Sequence, residues 1–291
     1  MLNRLMNMTE MLKNLIKEIS QPDFVFIIAG VTIFGIWLLR TSLGRNALLK
    51  SRPRRNNMPI YLPFAIIIIF YVLIYLASLI IKKVMPGLED WQNALLFNAT
   101  AVILGAVTII VMMIAARAFF VRRLKGFGLN LRTAGRDFGC AIVNLIAVWP
   151  LITAVFIVTT RLGRFFSGPD YQMPQHKELE LLTKYPQTPL VISIIILSVI
   201  IAPVFEELVF RGLFQSLLRS ITGRPWLSIV IISILFAITH LDTEHWPALT
   251  ILAVCLGYSY EKSGSLFRPI FIHALFNGTS VLATLLAANS I

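Results

Sequence analysis

The chain has 291 residues, 57% of them hydrophobic and 14% charged, with a mean hydropathy of +0.79. Soluble domains carry roughly 25% charged residues, so this composition excludes an ordinary water-soluble globular protein and identifies an integral membrane protein. The formal charge of +12 does not point to nucleic acid: twelve of the 26 Lys and Arg lie in two short segments, 40–55 and 117–136, between apolar runs, which is how cytoplasmic loops of a membrane protein are charged.

In chain order, residues 1–20 lack the pattern of a signal peptide. Their basic residues are spread out and mixed with Glu10 and Glu18, and no small-residue cleavage site follows an apolar core. Leu5, Met8, Leu12, Leu15, Ile16 and Ile19 recur at helical spacing, which predicts an amphipathic helix in the membrane interface. Eight apolar segments follow: 24–39, 58–81, 94–116, 138–160, 190–205, 226–240, 246–260 and 269–288. A span needs roughly 20 apolar residues, so the later segments are short, as in a bundle that encloses a cavity. The expected fold is all-α: a polytopic bundle of about eight transmembrane helices around a polar cavity. Residues 21–189 would form a scaffold that ends in the polar loop 161–189, and residues 190–291 the core that carries the chemistry.

Treated as simple spans, the segments divide the loops by charge. The set 40–57, 117–137, 206–225 and 261–268 holds 17 Lys and Arg, and the opposite set holds nine. The first set is expected to face the cytoplasm and to meet anionic lipid head groups. Cys140 and Cys255 sit inside apolar stretches, without disulfide or metal spacing, and read as small hydrophobes.

Ionisable residues next to apolar runs cluster late, at Glu206, Glu207, His240, Asp242, Glu244, His245 and His273. A charge at the bilayer centre costs at least about 2.5 kcal/mol, so such residues are candidates for function. In PVFEELVFRG, Glu207 and Arg211 are spaced i, i+4 and can pair along a helix. Glu206 points about 100° away from its neighbour and shares no such partner. A helix end with charges snorkelling into water accounts for Glu207 and Arg211 but poorly for Glu206. In FAITH, His240 closes an apolar helix; alone it reads as an interfacial histidine with a hydrogen-bond partner. In HALFN, His273 and Asn277 share one helix face and call for a polar partner or a water-filled cavity; a helix-packing hydrogen bond is the plainer reading.

Taken in order, E-E-x-x-x-R, F-x-x-x-H and H-x-x-x-N resemble the motifs of the CPBP (CAAX-processing and bacteriocin-processing, or Abi) family of intramembrane glutamic endopeptidases, which includes the type II CAAX prenyl endopeptidases. The resemblance covers residues 190–288. It implies that Glu206 acts as general base with help from His240, that His273 and Asn277 donate hydrogen bonds to the tetrahedral oxyanion, and that Glu207 and Arg211 pair to orient Glu206. It implies no metal, no other cofactor and no covalent intermediate. It also implies a peptide or membrane-associated protein as substrate, prenylated in some relatives, in the cytoplasmic membrane of a bacterium with lipids as partners.

Two other classes stay open. His240, His273 and a glutamate are residue types that suit zinc, though no H-E-x-x-H is present and Asn277 would have no role. Asp242 and His245 could complete such a site, but they fall in a short polar turn where solvation accounts for them. A proton-coupled carrier or a non-catalytic scaffold is the other class; a carrier would show repeat symmetry, which is absent, and a scaffold would have lost one of the motif positions.

One geometric difficulty stands out. A segment 226–240 that crosses fully would place its ends about 21 Å apart, with His240 far from Glu206 and His273. Either the carboxylates lie well inside the bilayer on a helix that runs on through GLFQSLLRS, or a short segment does not span.

Overall fold

The computed structural model describes residues 21–288, and the interfacial helix expected over 1–20 lies outside the described residues. The regular structure of the described residues is all helical, apart from one isolated bridge between Asn56 and Phe120. Its helices are α1 (Gln21–Arg40), α2 (Leu62–Val84), α3 (Asp90–Phe119), the short α4 (Arg123–Phe127), α5 (Ala134–Ser167), the short α6 (Lys177–Lys184), α7 (Thr188–Thr222), α8 (Pro225–Ile238), α9 (Trp246–Ser263) and α10 (Phe267–Ala288). Each of the eight apolar segments therefore folds as a helix. Five of these, counting the turn at 131–133 with α5, are long and apolar enough to cross a membrane. The expected count of about eight stands at five on that measure, because α1, α8 and α9 are shorter or less apolar. The chain is a multi-pass membrane protein.

Local sequence sets the helix ends. Pro63 opens α2, where a missing N–H costs nothing, and Lys82 and Lys83 close it against the negative end of the dipole. Glu89 and Gln92 form a reciprocal capping box at the start of α3. Helix α5 packs against α1, α9 and α10, and α8 packs along α9. Gly30 on α1 allows a close approach to α5: a Cβ there would lie 2.2 Å from the Ile146 carbonyl oxygen.

The difficulty with the short segments is resolved by α7, which continues through GLFQSLLRS to Thr222 and is 35 residues long. Glu206 sits near its middle, about 27 Å from its start at 1.5 Å per residue, so the carboxylates lie well inside the bundle. Arg211, counted above with a loop, is likewise mid-helix.

The two ends of the bundle differ in charge. At one end the basic loops come together: Arg54 Nη2 donates to the Tyr260 carbonyl at 3.1 Å, its guanidinium lies 4.0 Å from the Tyr260 ring centre, and Leu266 N–H donates to Gly128 O at 2.9 Å. At the other end the 168–187 connector meets its neighbours, with the Tyr185 hydroxyl 3.0 Å from Asp90 Oδ2 and His245 Nε2 2.9 Å from the Pro174 carbonyl. The asymmetry predicts orientation. In a background without native cysteines, Arg52→Cys should be shielded from an impermeant maleimide in intact cells and Gln172→Cys labelled; the reverse pattern would invert the assignment.

Candidate active site

Helix α7 is not a plain α-helix. Two π-helical stretches, Ile196–Ile201 and Leu208–Gln215, flank the turn Ala202–Glu207 that carries both glutamates. Such wide turns are rare and gather at functional sites. The first has a legible cause. Ala202 N–H donates to Leu197 O, five residues back; the next N–H in that register would serve Ser198 O, but residue 203 is proline and has none. The Ser198 carbonyl accepts instead from Asn277 Nδ2 at 2.8 Å. Asn277, an oxyanion donor by the family resemblance, thus has a packing role with one of its two N–H bonds and keeps the other.

Glu207 and Arg211 are both fully buried. Glu207 Oε1 accepts from Arg211 Nη1 at 2.9 Å and from His273 Nδ1 at 2.9 Å. Arg211 also donates Nη2 to the Ala253 carbonyl at 3.1 Å, and its guanidinium carbon lies 4.8 Å from the Phe236 ring centre. This arrangement joins α7, α9 and α10 through one guanidinium and one carboxylate. The link from Glu207 to His273 was not evident in the motifs, because those two residues are 66 positions apart.

Since Nδ1–H of His273 is donated to a carboxylate, its Nε2 is the nitrogen left for chemistry. That Nε2 lies 3.9 Å from Glu206 Oε2, too far for a direct hydrogen bond but close enough for one water about 2.8 Å from each to bridge them. Glu206 Oε2 is buried and has no hydrogen-bond partner in the protein. His240 Nδ1 is 2.9 Å from the Phe236 carbonyl; a carbonyl only accepts, so Nδ1 carries the proton and Nε2 of the neutral ring is free to accept. Phe236 packs between the histidines, with ring centres 4.9 Å from His240 and 5.7 Å from His273.

Glu206, His240, His273 and Asn277 all line one cavity of about 300 Å³. Its wall extends to His176, Glu178 and Leu179 of the connector, at the end of the bundle opposite the basic loops. A second, mostly apolar groove of about 450 Å³ reaches Glu206 and His240 from another side, past Phe64, Phe70, Tyr71 and Phe214.

The sequence placed Asp242 and His245 in a solvated turn. The structure differs: His245 is 5% exposed and stacks on His176, with ring centres 4.1 Å apart, while His176 Nδ1 lies 3.2 Å from Asp242 Oδ2. Burial, and after it the neighbouring His245, push the His176 imidazole below its ordinary range. Among the described residues, His176, Asp242 and His245 are the side chains grouped closely enough to hold a metal ion; His240, His273 and the glutamates form no such group. His176 was missed because nothing in its local sequence marks it. Asp137, buried and 3.0 Å from Arg268, was missed for the same reason.

The comparisons with known proteins meet this geometry at the same segment. Residues 188–279 match the family model described as type II CAAX prenyl endopeptidase Rce1-like, a stretch that contains every motif position. The "Putative membrane peptidase YdiL" of Bacillus subtilis (strain 168) is 29% identical over 31% of this chain and 37% of its own length. The "Membrane-embedded CAAX protease MroQ" of Staphylococcus aureus (strain USA300) is 25% identical over 75% of this chain and 87% of its own. The chain thus spans little more than a third of the first relative and most of the second. No solved structure is significantly similar to it. The resemblance to type II CAAX endopeptidases carried by the motifs is shown over the segment that holds them.

Two stability effects follow from the buried bonds. Glu207→Leu strands the Arg211 guanidinium and should cost about 3–5 kcal/mol in thermal or denaturant unfolding in detergent, with the double change Glu207→Leu/Arg211→Met recovering much of it. Asn277→Ala leaves the Ser198 carbonyl unsatisfied and should cost about 1–3 kcal/mol.

Proposed function

We propose that the chain, with its Rce1-like segment 188–279, is an intramembrane endopeptidase that hydrolyses a peptide bond with a water activated by Glu206, without a metal in the reaction. The observation that carries this reading is the meeting of Glu206, His240, His273 and Asn277 in one cavity near the middle of a 35-residue helix.

The chemistry follows from charge and hydrogen bonding. In this reading Glu206 is the base, and His273, whose Nδ1–H is given to Glu207, is a donor through Nε2–H. A water between Glu206 Oε2 and the His240 side of the cavity attacks the scissile carbonyl carbon while its proton passes to Glu206. The carbonyl oxygen becomes an oxyanion, which accepts from His273 Nε2–H and the remaining Asn277 N–H; one such donor is typically worth 10²–10³ in rate. Collapse of the tetrahedral intermediate breaks the C–N bond, and Glu206 returns its proton to the leaving amine. Glu207 and Arg211 are positioning residues that fix the orientation of His273.

The apolar groove beside Glu206 and His240 suits a substrate with an apolar segment or a lipid anchor, which accords with a relative named a CAAX protease. The cavity reaches the end of the bundle opposite the basic loops, so the positive-inside rule places its mouth on the outer face of a bacterial cytoplasmic membrane. Residues 21–189 are proposed as the scaffold that encloses the core 190–291.

In detergent, the wild type should cleave members of a peptide library that includes prenylated CAAX peptides. Glu206→Gln should lower the rate by about 10²–10⁴ with little effect on the unfolding temperature, since no protein group hydrogen-bonds to Glu206 Oε2. Equal metal content in wild type, Glu206→Gln and His273→Ala is expected. Retained cleavage in Glu206→Gln, or metal lost with either side chain, would overturn the glutamate-activated reading.

A further inference from the structure

The strongest feature that the proposed chemistry does not use is the stacked histidine pair, His176 and His245, at the cavity mouth. His176, Asp242 and His245 each offer one ligand atom, and these atoms lie within 4.8 Å of one another. Two imidazoles and a carboxylate are a common donor set for zinc, whose tetrahedral ligands stand about 3.3 Å apart around an ion at about 2.0–2.1 Å. The His176 Nδ1 to Asp242 Oδ2 separation, 3.2 Å, already matches one edge of such a tetrahedron.

A second observation concerns His245 alone. Its Nε2 lies 2.9 Å from the Pro174 carbonyl and must therefore donate, which leaves Nδ1 as the lone-pair nitrogen. That Nδ1 is buried and has no hydrogen-bond partner, which is costly for a polar atom. A ring nitrogen that donates to a backbone carbonyl while the other keeps its lone pair is how metal-bound histidines are held. Drawing the three donors to coordination distance closes their separations by up to about 1.5 Å in and beside segments without regular structure: His176 ends the irregular stretch 172–176, and Asp242 precedes the short turn Thr243–His245.

We propose that His176, Asp242 and His245 bind a divalent transition metal of the zinc class, with water as the fourth ligand, as a clip between the 168–187 connector and the turn that links α8 to α9. Binding displaces the proton shared by His176 and Asp242, as metal sites require. The clip closes beside the proposed active cavity, whose wall includes His176, Glu178 and Leu179. It holds the mouth and takes no part in bond cleavage, so it stands or falls separately from the peptidase reading.

The test uses the full chain in detergent, stripped of metal and titrated with Zn²⁺ by calorimetry and with Co²⁺ by visible absorption. One ion per chain is expected, with a tetrahedral Co²⁺ spectrum and a higher unfolding temperature when Zn²⁺ is added. His245→Ala should weaken binding by more than about 100-fold, beyond the loss typical of an outer-shell change, and the half-exposed His176→Ala, which the fold should tolerate, should do the same. Glu206→Gln and His273→Ala should bind as the wild type does. Absence of binding, binding unchanged in His176→Ala and His245→Ala, or binding lost in Glu206→Gln would overturn the site.

Discussion

Glu207 is the side chain on which the interior depends. It is fully buried, and its Oε1 takes hydrogen bonds from Arg211 and from His273. A lone buried carboxylate is costly to desolvate, so the fold has to deliver both donors at once, which aligns α7 with α10. Arg211 then anchors to the α9 backbone through Ala253. Glu206, one residue earlier, is turned away from that network and faces the cavity. Adjacent glutamates therefore divide the work: one organises the interior and the other is left for water.

The length and irregularity of α7 make that division possible. A regular helix ending near Phe205 would have placed the carboxylates at a membrane surface, where water would screen them. The chain instead continues to Thr222 and widens into π turns on both sides of the glutamates. Pro203 withholds the N–H that would cover Ser198 O, and Asn277 supplies the missing donor. The same asparagine thereby locks α10 to α7 at the level of the site. Short α8 brings His240 into the bundle rather than to its far surface, and the cavity wall records the result.

Much of this was legible in the residues, and the remainder fails for identifiable reasons. The spacing of Glu207 and Arg211 announced a helical pair, and His273 with Asn277 announced one shared face. Apolar runs located all eight long helices within a few residues, apart from α7, whose C-terminal half looked like a loop because Arg211, Gln215, Ser216 and Arg219 interrupt the hydropathy. Those polar groups are buried and bonded to tertiary partners, such as Gln215 Nε2 to the Gly257 carbonyl and Arg219 to Glu261, and local sequence cannot announce partners about 40 residues away. The same limit hid the bond from His273 to Glu207 and the meeting of His176 with Asp242 and His245. The polar connector looked solvated throughout, yet it covers a buried histidine.

The central claim is that Glu206 meets water deep inside the bundle, from the end opposite the basic loops. The most direct measurement is the reactivity of Glu206→Cys, in a chain otherwise free of cysteine, toward a small charged thiosulfonate applied to oriented vesicles. The account predicts modification from the face opposite the basic loops. Modification only from the basic face, or none from either side, would contradict it.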